Sequence, residues 1–556
     1  MERRAVRRQR PQRHTPLLLE RLEDRVVLTA WTPIGPAPIL NGQIAGSGPV
    51  SGRVTGIAAD PNNADIVYVA TAGGGVWKTT NATAATPNWT PLTDNVTDGS
   101  GNPLPEFMGA VAMADATSGA HSGNQIVYAG MGEANNSGDS FYGDGILVST
   151  DGGATWTLTN PGGAFTGKTV SKIVVDPSDS TGATAYAAVA DLGVNGSFGS
   201  TGIWKTTDFG AHWTNTTAAA GLTTLYPWSD VAIDPNNPSI IYGAIGYSNG
   251  YSGNGVYKST NGGATWTLLN GSGTFNGTQD GRITLAVYDD GSTSELFVSI
   301  QNPTTSGLYK MLKSTDGGGS FTDLTSNVLA VSNYLGGQGW YDTTLAIDPQ
   351  NPNYIYAAGD MSNQGPTFSG SPLESLDGGL TWHDIGTDPA GKGLHTDAHA
   401  VAFDANGNVI DGDDGGVFRL SNTNGSLASQ RWVDLNSNLA TIQFSGIAVD
   451  PTNGNVYGGS QDNGTEEYTG APGWNRILAG DGGIVRIDPT NHSTVYTEQA
   501  DGNLYVSLNG GTSFNYITPN LLGNSVNFYG PYQVDYKGNL YYGTNDLNFS
   551  SNHGTT

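Results

Sequence analysis

The 556-residue chain contains no cysteine, which excludes disulfides and thiolate metal sites alike and leaves the redox compartment unread. Charged side chains are scarce, at 13% of the total. No window approaches the ~18 continuous apolar residues of a membrane-crossing helix, so no membrane span is predicted. Cationic side chains are scarcest of all: beyond residue 30 there are 15 Lys and Arg against 45 Asp and Glu. Such a body lacks the clustered cations that phosphate backbones demand, which argues against nucleic acid as a partner. Neutral polymers, cations and basic protein surfaces remain compatible with it.

Glycine is abundant, 81 residues, about twice the ordinary ~7%, and suits short strands joined by tight turns. The strongest pattern is a repeated octapeptide: Ser149 to Trp156, Thr206 to Trp213, Ser259 to Trp266, Ser314 to Phe321, Ser375 to Trp382 and Ser507 to Phe514. The first five start 57, 53, 55 and 61 residues apart. A period near 50 with several alternating strands per unit is the mark of a propeller blade. The Asp or Asn at the third position can accept backbone N–H bonds in a turn, the following glycines permit left-handed backbone angles, and the closing aromatic returns to the core. These aspartates are therefore assigned to folding.

A second string precedes each octapeptide: β-branched alternation ending in Asp-Pro, at Pro61, Pro177, Pro235, Pro349, Pro451 and Pro489. It reads as an inner strand stopped by a turn. Complete and degenerate units number ten, near residues 79, 149, 206, 259, 314, 375, 421, 467, 507 and 550. The last, Ser550 to Thr556, stops one position short of its aromatic, as expected of a fragment or of a unit completed elsewhere. The fold class is all-β: a β-propeller of about ten four-stranded units, read as tandem seven-bladed propellers, the second incomplete, in preference to one ten-bladed ring. The expected divisions are 1–30, 31–390 for the first propeller and 391–556 for the second, against 31–556 as one ring.

Residues 1–30 are basic, with eight Arg and four acids, but their longest apolar runs, Leu17 to Leu19 and Val26 to Leu28, are too short for a signal-peptide core. The segment resembles the Leu-Glu-x-Leu-Glu-x-Arg stretch at the start of many exported bacterial proteins, through Leu19, Glu20, Leu22, Glu23 and Arg25. A secreted or cell-surface location is what that resemblance implies.

The octapeptide matches the Asp-box, or BNR, repeat. With Gly52 to Thr55 and the Gly-Asp-x-Gly-Gly string Gly412 to Gly416, the chain resembles the xyloglucan-hydrolysing endoglucanases, which have tandem seven-bladed propellers and a cleft between them, and the sortilin type, which has one ten-bladed ring. The endoglucanase resemblance implies two catalytic aspartates in equivalent loops, one as acid and one as base. Asp413 matches the second. Ala72 stands where the first belongs, which places hydrolysis in doubt; Glu133, in the corresponding loop of the next unit, is the substitute candidate. Sialidases share the octapeptide, but their arginine triad has no counterpart here, and shared repeats define fold rather than chemistry.

The loops between second and third strands form a polar rim, including Glu133, Asp191, Gln301, Asp360, Asp413, Asp414, Gln461, Asp462 and Asp501. Carboxylates and amides of this kind bind hydroxyl-rich ligands or a hard cation, so a structural Ca2+ is admissible although no cofactor is required. In extended backbone His395, Asp397 and His399 would project to one side as a metal or acid/base site requires, close in sequence to Asp414, Gln461, Asp462 and Asp481; a buried polar network plugging the channel is the structural reading of the same residues. Trp228, Trp340 and Tyr341, at the starts of inner strands, are candidate platforms for sugar rings. The expected function is an exported propeller that binds an extracellular glycan, with polysaccharide as the partner and with catalysis uncertain. The alternative is a sortilin-like module that binds a surface protein without turnover.

Overall fold

The computed structural model describes residues 32–134, 140–191, 199–223, 225–269, 273–360, 372–423, 425–518 and 526–554; the basic segment 1–30 lies outside them. Contacts divide the chain after Ile34, and the fold is that of Gly35–Thr556. Its described residues form ten antiparallel sheets in strict chain order, nine of four strands and a last one of three. The inner strands of the first seven are Val54–Ala59, Met108–Asp115, Thr169–Val175, Trp228–Ile233, Ile283–Asp289, Thr344–Asp348 and Ala400–Phe403. Those of the last three are Phe444–Val449, Gly482–Ile487 and Tyr532–Val534.

In the first seven sheets both faces are buried, so each core is shared with neighbours, as radial sheets require. Between the first and second sheets lie Tyr68, Met108 and Leu147; between the sixth and seventh, Tyr356, Val409 and Trp432. The decisive interface joins the seventh sheet to the first: Ile410, Val417 and Leu435 pack with Val54, Val69, Trp77 and Trp89. The Trp89 indole donates to the Leu435 carbonyl at 2.7 Å. The first seven sheets therefore close on themselves, which excludes a single ten-bladed ring. This also corrects the expected boundary at 390. The Gly-Asp-x-Gly-Gly sheet is the seventh blade of the first ring, and the passage to the next group falls between Asp434 and Phe444. A motif in one loop carries no information on where a ring begins or closes.

The eighth to tenth sheets pack in succession through Tyr457 and Val485, then Tyr496, Tyr532 and Tyr542. Large apolar side chains stay exposed at both ends of this stack, Ile447 and Val449 at one, Leu547 and Phe549 at the other. The segment from Gly35 to Val50 bridges the two groups, with Ile39 paired to Trp474 on the side of the eighth sheet and packed with Tyr356 and Val409 of the ring.

The octapeptide turns behave as their composition predicts. After the third strand Tyr142–Ser149, Asp151 accepts the Thr155 N–H at 2.8 Å and the Thr155 hydroxyl at 2.6 Å. The Ser149 hydroxyl accepts from Gly153 N at 2.8 Å, and Gly152 and Gly153 take φ of 74° and 95°, angles that cost glycine little. The same bonding recurs at Asp316 with Ser320 and at Ser550 with Gly554.

Candidate functional site

Loops between second and third strands and the residues leading into inner strands meet at one mouth of the ring, facing the eighth and ninth sheets. Two adjoining cavities open there, both walled by Gln461 and Asp462. One, of about 300 Å³, is lined by Arg53, Phe107, Phe141, Asp414, Gln443, Phe444 and Asn463 among others. The second, of about 350 Å³, is lined by Gln338, Tyr341, Asp360, His395, Asp397, Asp481 and Phe528 among others.

Arg53, immediately before the first inner strand, organises the first cavity. Its Nε lies 3.0 Å from Glu133 Oε1, its Nη1 lies 3.9 Å from Asp414 and also donates to the Tyr341 hydroxyl. Glu133, the substitute catalytic candidate, is thus fully buried as the partner of a guanidinium.

Asp413 does not face the cavity. Its side chain is fully buried, and its two oxygens accept the backbone N–H groups of Gly415 and His395, each at 2.8 Å. Burial pushes its carboxyl well above the usual range. It ties its own turn to the segment at His395, and the neighbouring Asp414 is the carboxylate that reaches the cavity. Ala72, at the matching place in the first sheet, is buried and donates its N–H to the Arg53 carbonyl at 3.2 Å.

The segment His395 to His399 is not an extended strand. Asp397 has φ of 65°, a left-handed angle uncommon for a residue with a side chain, and the alternation expected of His395, Asp397 and His399 is broken there. His395 Nε2 turns to the Asp462 carbonyl at 3.0 Å. His399 Nε2 lies 2.8 Å from Asp414 Oδ1 and 3.6 Å from Asp342 Oδ1. The two histidines therefore do not converge as a ligand pair. Burial lowers the pKa of both. A neutral His399 donating from Nε2 fits the acceptor-only Asp414; burial acts to raise Asp414, but the His399 contact and the Arg53 guanidinium outweigh it and hold it below its ordinary value.

The acids around this pair are crowded. Asp397, Asp414 and Asp462 each bring an oxygen within 4.8 Å of the others, as do Asp342, Asp360 and Asp397. Burial, reinforced by neighbouring carboxylates, pushes Asp342, Asp397 and Asp462 well above the usual range. Asp481 Oδ1 accepts the Asp462 N–H at 3.2 Å. Asp342 was not singled out in the sequence, since only the fold shows it next to residues 18 and 55 positions away.

Of the aromatic candidates, Trp228 is a correction. It is fully buried against Tyr257 and Trp266, because the inner-strand start turns into the space between sheets and not into the mouth. Tyr341 is buried at the mouth with its ring edge-on to His399, and Trp340 beside it is half-buried. The sequence reading missed Phe107 and Phe141, whose rings stack at 4.2 Å and 12° beside the first cavity, and Phe528 beside the second. Phe141 and Phe528 are 46% and 47% exposed. All three lie in loops without the repeat's periodicity, so no pattern pointed to them.

No family model matches the chain. It is 29% identical over 374 residues to a xyloglucanase of Paenibacillus sp, covering 62% of this chain and 32% of that protein. It is 26% identical over 385 residues to a xyloglucanase of Hypocrea jecorina (strain QM6a), covering 62% and 39%. The chain thus spans between about a third and two fifths of the length of the curated relatives it matches. Among solved structures it resembles the GH74 enzyme of Niastella koreensis, with TM-score 0.63 and 21% identity over 91% of this chain and 72% of that one. The GH74 xyloglucanase of Xanthomonas campestris follows, with TM-score 0.54 and 17% identity over 91% and 80%. The fold and these likenesses define a multi-blade β-propeller. More narrowly, it is a propeller similar to the xyloglucanases.

Proposed function

We propose that this chain is an exported, glycan-binding propeller that holds a neutral polysaccharide between its closed ring and its second group of sheets, without hydrolysing it. The observation that carries this reading is the first cavity itself. The stacked Phe107 and Phe141 present an apolar face beside Gln443, Gln461 and Asn463, which is the pairing of flat hydrophobic surface and amide hydrogen bonding that a sugar ring matches. The relatives' name makes a branched xyloglucan the first ligand to try.

Turnover is disfavoured on geometry. Asp413 accepts backbone N–H groups on both oxygens, from Gly415 of its own turn and from His395, and the matching position in the first sheet is Ala72. Asp414, which does reach the mouth, is engaged by His399 and Arg53, and Glu133 is buried against Arg53, so neither stands as a free acid or base opposite Asp413. The octapeptide turns, which bond as Asp-boxes would, act as hairpin staples in this reading, and the basic segment 1–30 directs export. Affinity electrophoresis through gels containing xyloglucan or an unbranched β-glucan tests it: retardation in xyloglucan is expected, and unchanged mobility in both would overturn it.

A further inference from the structure

Below the second cavity, three carboxylates converge from two adjacent sheets. Asp342 leads into the inner strand Thr344–Asp348, Asp360 follows the next strand Asn351–Ala358 of the same sheet, and Asp397 sits in the bend before Ala400–Phe403. Each brings an oxygen within 4.8 Å of the other two, and all three residues are buried. Asp360 accepts the Gly337 N–H at 2.9 Å; Gly336 permits this approach, since a Cβ there would sit 2.0 Å from Asp360 Oδ2. Asp397 receives the Thr396 hydroxyl and the Gln338 amide, each at 3.3 Å.

Asp342 is different. It has no exposed surface, and among the described residues no N–H or hydroxyl group donates to either of its oxygens. The His399 Nε2 at 3.6 Å is already directed to Asp414 at 2.8 Å. Arg282 sends Nη1 to the carbonyls of Trp340 and Tyr341, at 3.1 and 2.7 Å, which fixes the backbone that carries Asp342. A buried acceptor with two unmet oxygens, beside two further carboxylates, calls for a small positive partner.

We propose that Asp342, Asp360 and Asp397 form a binding site for a hard divalent cation, with Ca2+ the preferred ion. The donor set is all oxygen, without thiolate or imidazole, which selects hard cations over zinc or copper. The three oxygens lie within 4.8 Å of one another, a spacing that a single ion can span; Ca2+ accepts irregular oxygen shells at ~2.3–2.6 Å, which suits carboxylates brought from three separate loops, whereas Mg2+ demands near-ideal octahedral geometry. Asp360, Asp397 and Gln338 line the second cavity, so the ion's remaining positions open toward water or a ligand hydroxyl. The site does not rest on the glycan reading and can exist without it.

The full chain, stripped with EDTA and desalted, is titrated with Ca2+ by calorimetry and with Tb3+ by luminescence sensitised from Trp340 and Tyr341. The expected result is saturable binding below 1 mM and a thermal midpoint raised by at least ~2 °C in 1 mM Ca2+. Asp342→Asn should abolish both while still folding without Ca2+, because the amide keeps the shape of the carboxyl and removes only its ability to become an anionic ligand. Asp501→Asn, on the corresponding loop of the ninth sheet, should keep both. If Asp342→Asn does not fold, Asp360→Asn gives the same readout. The absence of any Ca2+ effect on the parent, or a folded Asp342→Asn that titrates unchanged, would overturn the site.

Discussion

Arg53 and Glu133 meet across the first and second sheets, Nε to Oε1 at 3.0 Å, with the carboxylate fully buried and the guanidinium nearly so. Breaking a buried pair by removing one member leaves a charge without compensation. Arg53→Met should therefore destabilise the ring by about 3–5 kcal/mol, while adding Glu133→Leu should recover most of that loss. Urea denaturation of the two variants checks the pair; equal stability of single and double variants would mean that Glu133 finds another partner.

Phe141 and Trp228 should respond in opposite ways. Phe141→Ala should weaken xyloglucan retention by about 3- to 10-fold, from the ~0.5–1.5 kcal/mol of an aromatic contact, with little change in melting because the ring is half-exposed. Trp228→Phe should lower the melting temperature and leave retention unchanged, since Trp228 is wholly within the core. Affinity electrophoresis and thermal melts on the same preparations separate the two.

Glu498 gives the second sheet group a pH dependence. The side chain is buried, accepts from the Tyr542 hydroxyl at 2.7 Å and the Gly530 N–H at 2.6 Å, and is pushed up to about 7, chiefly by burial. The folded state holds a proton that the unfolded chain releases near its ordinary value. The contribution is fully present below about pH 4.3 and is lost as pH rises through about 7. Glu498→Gln should flatten that decline by about 1–3 kcal/mol, read by hydrogen exchange of residues 482–518 between pH 4.5 and 8.

The turn aspartates should act with the opposite sign. Hydrogen bonds from Ser320 and Ser314 lower Asp316 to about 2, so its contribution is present at neutral pH and is lost as pH falls through about 2. Asp316→Ala should cost about 1 kcal/mol or less at pH 7, since the turn is solvent-exposed, and nothing in strong acid. Denaturation of both proteins at pH 7 and pH 2 checks the sign.

The blades were legible because each encodes its own turns and alternation locally: the octapeptides at Asp151 and Asp316 bond as their composition requires. Ring closure was not, because it depends on Trp89 and Leu435 meeting across nearly 350 residues, a pairing without a local signal. In the site, the rim acids Asp360, Asp414 and Asp462 were visible from their place in successive loops, and Asp397 from its position between two histidines. Asp342 was hidden in a segment read only for its aromatics. Asp413 was misread as a cavity residue because a motif records residue type and not the direction in which a turn points its side chain. Phe107 and Phe141 lay in loops that carry no repeat.

The central claim, that the mouth binds polysaccharide without cleaving it, is tested most directly by measuring xyloglucan binding and reducing-sugar release on one preparation, with Asp413→Asn in parallel. Saturable binding with release no higher than the blank is predicted for the parent protein. Release that disappears in Asp413→Asn would contradict it and restore that buried carboxylate to the chemistry.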